Sequence, residues 1–194
     1  RVIQYLVDVM AHRLSKGAQV QGFLGPNILH IVLQLCHKCE GLFWIVKGLV
    51  ENNRELLLGV DGNGCTALHT CARYAPFALV KYLVEGAVDS GFTKPSISED
   101  VANFIGQVSD ITLSAPDNNG EVPLHKACYL GNMRVVNYLI EKNVSATTSC
   151  NSKGQLPMHI LLCNTAGKDE IVSSVEYTEA VFKLLRAHPE QCDS

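Results

Sequence analysis

No segment of these 194 residues approaches the roughly 18 to 20 consecutive apolar residues that a membrane-spanning helix needs. The longest apolar run, Gly41-Leu-Phe-Trp-Ile-Val46, is stopped by Lys47, so no membrane insertion is expected. A dense positive field is also missing. The formal net charge of -3 and pI near 6.2 argue against nucleic acid as the main partner and against acidic membranes. There is no glycine-rich phosphate loop, nucleophile elbow, H-E-x-x-H helix or kinase signature set. The chain therefore reads as non-catalytic, with no cofactor. Asp61-Gly-Asn-Gly64 and Asp117-Asn-Asn-Gly120 look like pieces of calcium loops, but the later bidentate Glu is absent, and a turn explains them without an ion.

A composition that is 47% hydrophobic supplies a sizeable core at this length. The eight cysteines are then not needed as disulfide staples, and a reducing, intracellular setting follows, cytoplasmic rather than nuclear. Asn143-Val144-Ser145 fits a glycosylation sequon, a pattern short enough to recur by chance. One constellation has metal-like spacing: in Cys36-His37-Lys38-Cys39 two thiolates could share a zinc ion, with His37 or His30 as a further ligand. A structural zinc needs four ligands and no second Cys-x-x-Cys follows, so a loop with a free thiol is preferred and zinc on Cys36 and Cys39 is the alternative. The chain opens on Arg1 with helix-like residues already under way and no signal-peptide pattern, as a piece of a longer protein would.

What the chain does have is repetition. Asp117-Asn-Asn-Gly-Glu-Val-Pro-Leu-His-Lys-Ala127 contains Val122-Pro-Leu-His-Lys-Ala127, one residue away from T-P-L-H-x-A, and on these residues the sequence resembles the ankyrin-repeat family. The resemblance implies an all-α solenoid of stacked helix-turn-helix units with finger-like hairpin loops. Aligned on His30, His69, His125 and His159, the copies are 39, 56 and 34 residues apart, against a family repeat of about 33.

The excess spacing is located by the second-helix pattern of paired apolar residues. Leu79, Val80, Leu83 and Val84 follow His69 at the same offset as Val135, Val136, Leu139 and Ile140 follow His125. Such stripes cannot be buried within one helix pair and must pack on neighbouring repeats. Ile45, Val46, Leu49 and Val50 arrive late after His30, which extends the loop at residues 37–42. Val181, Phe182, Leu184 and Leu185 arrive later still after His159, with residues 164–177 as loop. Between Gly86 and Pro116, Ser98 offers a cap and Val101, Phe104, Ile105 and Val108 recur at helical spacing, which predicts one extra amphipathic helix. The expected division is a partial repeat over 1–20 holding only a second helix, repeats over 21–58 and 61–90, an insertion over 91–116, and repeats over 117–150 and 151–190, all in a single domain.

Within each repeat the residue types match their tasks. Asp, Asn and Gly build tight finger turns, Thr66 and Asn27 can cap first helices, and Pro123 and Pro157 suit a first helical turn. Val122 and Leu156 replace the family's Thr, so their helices lose about 1 kcal/mol of capping each if nothing substitutes. The resemblance also implies that His30, His69, His125 and His159 are buried hydrogen-bonding links between repeats rather than catalytic or metal ligands. Trp44, just before the Ile45 stripe, is expected to pack at least half-buried.

Solenoids bind on a concave face. The family's contact positions map here onto the finger residues Asn63, Cys65, Asn119, Glu121, Lys153 and Gln155, and onto Gln34, Leu35, Arg73, Tyr74, Tyr129 and Leu130 of the first helices. Arg73, Tyr74 and Tyr129 are the expected anchors, since Arg and Tyr combine contact area with a polar end. The implied function is a scaffold or adaptor module, expected to be monomeric, for a protein partner whose identity the sequence does not name. A regulatory array in a larger enzyme or channel, binding a small ligand or an internal segment, is the alternative.

Overall fold

The structure, a computed structural model, describes residues 28–36, 42–86, 99–166 and 169–187. The partial repeat over 1–20, most of the loop over 37–42 and residues 91–98 of the insertion lie outside the described residues, together with Cys39 and His37. The described residues form helix pairs in sequence order. The first pair is α1 (Ile28–Leu35) and α2 (Phe43–Asn52), with a short 3-10 helix after it (Arg54–Leu57). The second is α3 (Ala67–Tyr74) and α4 (Phe77–Glu85). A long helix, α5 (Glu99–Ser114), intervenes before α6 (Pro123–Leu130) and α7 (Met133–Lys142). After a second 3-10 helix (Val144–Thr148) come α8 (Pro157–Thr165), the short α9 (Asp169–Val172) and α10 (Val175–Arg186).

The first helices pack side by side as one layer in the order α1, α3, α6, α8, and α10 packs on α7. This all-α stack is what the apolar stripes require. Leu79, Val80, Leu83, Val84, Val135, Val136, Leu139 and Ile140 are all buried in a single core. In α2 the stripe is tilted: Val46 and Val50 are buried while Ile45 and Leu49 are only partly covered. Trp44 is 42% exposed. It meets the edge of Phe43 at 5.6 Å and lies under Lys47 Nζ at 5.7 Å, because the side of α2 that faces the core carries Phe43, Val46, Lys47 and Val50.

The inserted helix is longer than its sequence pattern. Val101, Ile105 and Val108 are buried and Phe104 partly so, and Thr112 and Leu113 continue the buried side for a further turn. It packs mainly on α4 and also on α6. Gly86, which ends α4 at φ 64°, makes this approach possible: a Cβ there would lie 2.9 Å from Ala102 Cα, and the left-handed conformation itself favours glycine.

The last pair departs most from expectation. Residues 164–177 are not a plain loop, since α8 runs to Thr165, α9 follows, and α10 starts at Val175 with Ser174 Oγ accepting the Tyr177 N–H. Only Ala180 and Leu184 of α10 are buried. Phe182 is 63% exposed and Leu185 40%, because these two face away from α7 and no described element covers that side.

Candidate protein-binding face

Each finger is tied by the residue that opens it. Asp61 Oδ1 accepts the N–H groups of Asn63 and Cys65, Asp117 Oδ1 those of Asn119 and Glu121, and Asn151 Oδ1 those of Lys153 and Gln155, all between 2.8 and 3.0 Å. Adjacent fingers then pair through their backbones, Asn118 N–H donating to Asn63 O at 2.9 Å and Ser152 N–H to Asn119 O at 2.7 Å. At the second pairing Gly120 (φ 72°) comes so close to the next finger that a Cβ would sit 3.1 Å from Ser152 N. Three fingers therefore form one ribbon of fixed register.

The histidines join that ribbon to the helices. In His69, Nδ1 accepts the Thr66 N–H at 3.1 Å, which leaves the proton on Nε2 to be donated to Glu121 O of the next finger at 2.8 Å. His125 repeats the arrangement with Val122 N–H and Gln155 O, and His30 Nε2 reaches Cys65 O at 2.8 Å. The imidazole thereby takes the backbone N–H at the start of α6 that a side-chain cap would leave open, although Val122 itself offers no cap. Burial holds all three rings below the ordinary histidine pKa, against smaller opposing effects of these carbonyls.

His159 differs from the expectation of burial. Its Nδ1 accepts the Leu156 N–H at 3.1 Å, but the ring is exposed, and its Nε2 meets no acceptor among the described residues. The physical reason is positional: His30, His69 and His125 each have a finger stacked over them, and no described finger follows α8.

A buried ionic group, not anticipated from the sequence, braces the central fingers. Lys126, on α6, places Nζ 2.6 Å from Asp117 Oδ2 and 2.5 Å from Glu121 Oε2, and Lys126 and Asp117 are both buried. Burial pushes the Asp117 carboxyl up, but the Lys126 ammonium and two backbone N–H groups outweigh it and hold its pKa below the usual value. Burial likewise works against the charged Lys126, and the two carboxylates more than compensate. The signal was available: a lysine follows the histidine in a helix whose neighbouring positions are apolar, with two acidic residues in its own finger. Cys65 Sγ lies 3.6 Å from Asp117 Oδ2, and burial first, then the Asp61 and Asp117 carboxylates, push its thiol up to about 12 against the lowering effect of the Lys126 ammonium. That makes it a poor nucleophile.

The remaining expected contact residues divide by location. Asn63, Asn119 and Lys153 are exposed at finger tips, as are Gln34, Tyr129 and Leu130 on the first helices, while Leu35, Arg73 and Tyr74 are half-buried. Cys65, Glu121 and Gln155 are half-buried too, and their carbonyls are the ones the histidines use. On the first-helix layer the structure brings three of these residues together: the Arg73 guanidinium lies over the Tyr74 ring at 5.1 Å and over the Tyr129 ring of the next helix pair at 5.3 Å. Such stacking holds an arginine in place. Cys36 is buried with its thiol directed to Val32 O at 3.2 Å. Among the described residues no cluster of three or more His, Cys, Asp or Glu could hold a metal ion, and none of the helices is long and apolar enough to cross a membrane.

Family models for the ankyrin repeat match residues 119–151 and residues 63–91, the two helix pairs whose spacing is intact. The chain carries ankyrin repeats at these two stretches. Ankyrin arrays serve generally as protein-interaction modules, and the stacked helices with their finger ribbon are the architecture they use. The human ankyrin repeat and LEM domain-containing protein 2 is 26% identical over 153 residues, a match covering 72% of this chain and 16% of that protein. The rat protein of the same name is 25% identical over a stretch that is 15% of its length. The human transient receptor potential cation channel subfamily A member 1 is 26% identical over 174 residues, which is 87% of this chain and 13% of the channel. This ankyrin array thus spans less than a fifth of each of these relatives.

Proposed function

We propose that this array is a scaffold or adaptor module that binds a protein partner on the face formed by the finger tips and first helices. The observation that carries the reading is the Tyr74–Arg73–Tyr129 stack, flanked by the exposed Leu130. Tyr129 is 53% exposed and Leu130 50%, although adjacent large apolar side chains gain by leaving water, and the stack keeps the arginine ordered before any partner arrives. Pre-ordered Arg and Tyr side chains lose little conformational freedom on binding and are the types that dominate interface energetics. Gln34, Leu35, Asn63, Asn119 and Lys153 extend the same surface. Cys65, Glu121 and Gln155 belong to it as well, with their backbone carbonyls committed to the histidine joints.

Affinity capture from a cell extract with the wild type and the Tyr74→Ala/Tyr129→Ala double variant side by side tests this reading. A partner of this face is retained by the wild type and lost by the double variant, while helical circular dichroism and Tm stay the same. Undiminished capture by the variant removes this face from consideration. The second reading, a regulatory array within a larger protein that holds an internal segment or a small ligand, is favoured by the similarity to a cation channel over most of this chain. A partner captured in trans through the tyrosines supports the first reading over the second.

A further inference from the structure

The stack at Arg73 also indicates the chemistry of what it binds. Two tyrosine rings lie against the guanidinium, so its in-plane N–H groups are the donors left to a partner. Arg73 makes no ion pair with any carboxylate among the described residues, unlike Lys126, which holds two. A guanidinium presents its donors as a planar fork that matches a carboxylate. Charge is also partitioned across the molecule. Among the described residues the exposed carboxylates lie off this face, on the second helices, on α5 as with Glu99, Asp100 and Asp110, and in the 3-10 helix at Glu55. On the face itself Asp61 and Asp117 are buried, and Glu121 is tied to Lys126. Among the described residues the cations there with open donors are Arg73 and Lys153, since Lys126 is held by Asp117 and Glu121. At physiological ionic strength the screening length is about 8 Å, so the open donors of Arg73 count for more at this spot than the net charge of -3.

Resting on the binding face proposed above, we infer that its partner is an acidic peptide segment: an Asp or Glu carboxylate that pairs with Arg73, next to an apolar side chain that covers Tyr129 and Leu130. The finger-tip amides of Asn63 and Asn119 then lie along the backbone of the segment.

The test is selection of a displayed library of random linear peptides on the full chain, followed by binding of the selected peptides to variants. The expected peptides are rich in Asp or Glu beside aliphatic or aromatic residues. Arg73→Ala weakens them about 10- to 100-fold, as loss of a hydrogen-bonded charge does, and Arg73→Glu abolishes them and selects basic peptides instead. Helicity and Tm of each variant, measured alongside, separate loss of binding from loss of fold. Peptides that need Tyr74 and Tyr129 but are neither acidic nor sensitive to Arg73 overturn the acidic partner and leave the binding face standing. Acidic peptides that bind the Tyr74→Ala/Tyr129→Ala variant undiminished overturn the face itself. Selection of no peptide at all overturns recognition of a linear segment.

Discussion

His69 and His159 occupy the same position of two helix pairs and meet opposite surroundings. His69 is 1% exposed, takes the N–H of Thr66 and donates to Glu121 O of the finger stacked above it. His159 takes the equivalent N–H from Leu156 but is exposed, and in the same helix pair Leu162, Phe182 and Leu185 are exposed as well. The same residue type is thus a buried joint in one place and a half-used helix cap in the other. What differs is the neighbour: in a stack each repeat is completed by the next one. The Lys126, Asp117 and Glu121 group strengthens the contrast, since it braces the central fingers and has no counterpart around α8.

Four measurements sharpen or break this comparison. The largest effect is expected at Lys126→Met, which strands the buried Asp117 carboxylate and lowers unfolding stability by about 3 to 5 kcal/mol in urea. Adding Asp117→Asn should recover most of that loss, because Asn151 already ties the following finger with an amide. A double variant as unstable as the single one contradicts an ionic origin. Next comes His69→Ala, expected to lose about 3 kcal/mol, since the Thr66 N–H and the Glu121 carbonyl are left buried without partners.

A gentler probe is pH. His30, His69 and His125 have folded-state pKa values lowered from 6.5, so the unfolded chain binds more protons in the window between the two states. Stability is then full above about pH 6.5 and falls as pH drops through that window; unfolding midpoints that do not change between pH 7.5 and pH 5.5, measured in about 1 kcal/mol steps or better, would count against buried neutral rings. Asp117 adds its own loss only at lower pH, below its ordinary value of 3.8. The smallest effect belongs to His159→Ala, about 1 kcal/mol or less, because its remaining hydrogen bond is near solvent. A loss equal to that of His69→Ala would mean that something covers the end of the stack.

Much of the fold was legible because it follows from short-range patterns. The Asp-x-x-Gly turns, the prolines opening α6 and α8, and the stripes at Leu79–Val84 and Val135–Ile140 are each set by residues within one turn of a helix or hairpin. The inserted helix was visible for the same reason, through Val101, Ile105 and Val108. Its last turn was not, since Thr112 and Leu113 are buried by α5 packing on other helices rather than by a pattern that announces itself. The proposed binding face was named from the sequence as a set of positions. That Arg73 reaches Tyr129 across two helix pairs required the stack, because residues so far apart in the chain meet only through packing. The exposure of Phe182 misled for a related reason: an apolar residue in a helical stripe is buried only if another element arrives to cover it.

By itself, then, the amino-acid sequence determined the repeating unit: where fingers turn, where helices begin, and which side of each helix seeks cover, all of them consequences of local hydrogen bonding and 3.6-residue periodicity. The tertiary structure alone decided which histidines become buried joints, which charges pair, and which arginine is left with open donors. Those outcomes depend on what lies within a few ångströms in space, and in a stacked array that neighbour comes from a different repeat.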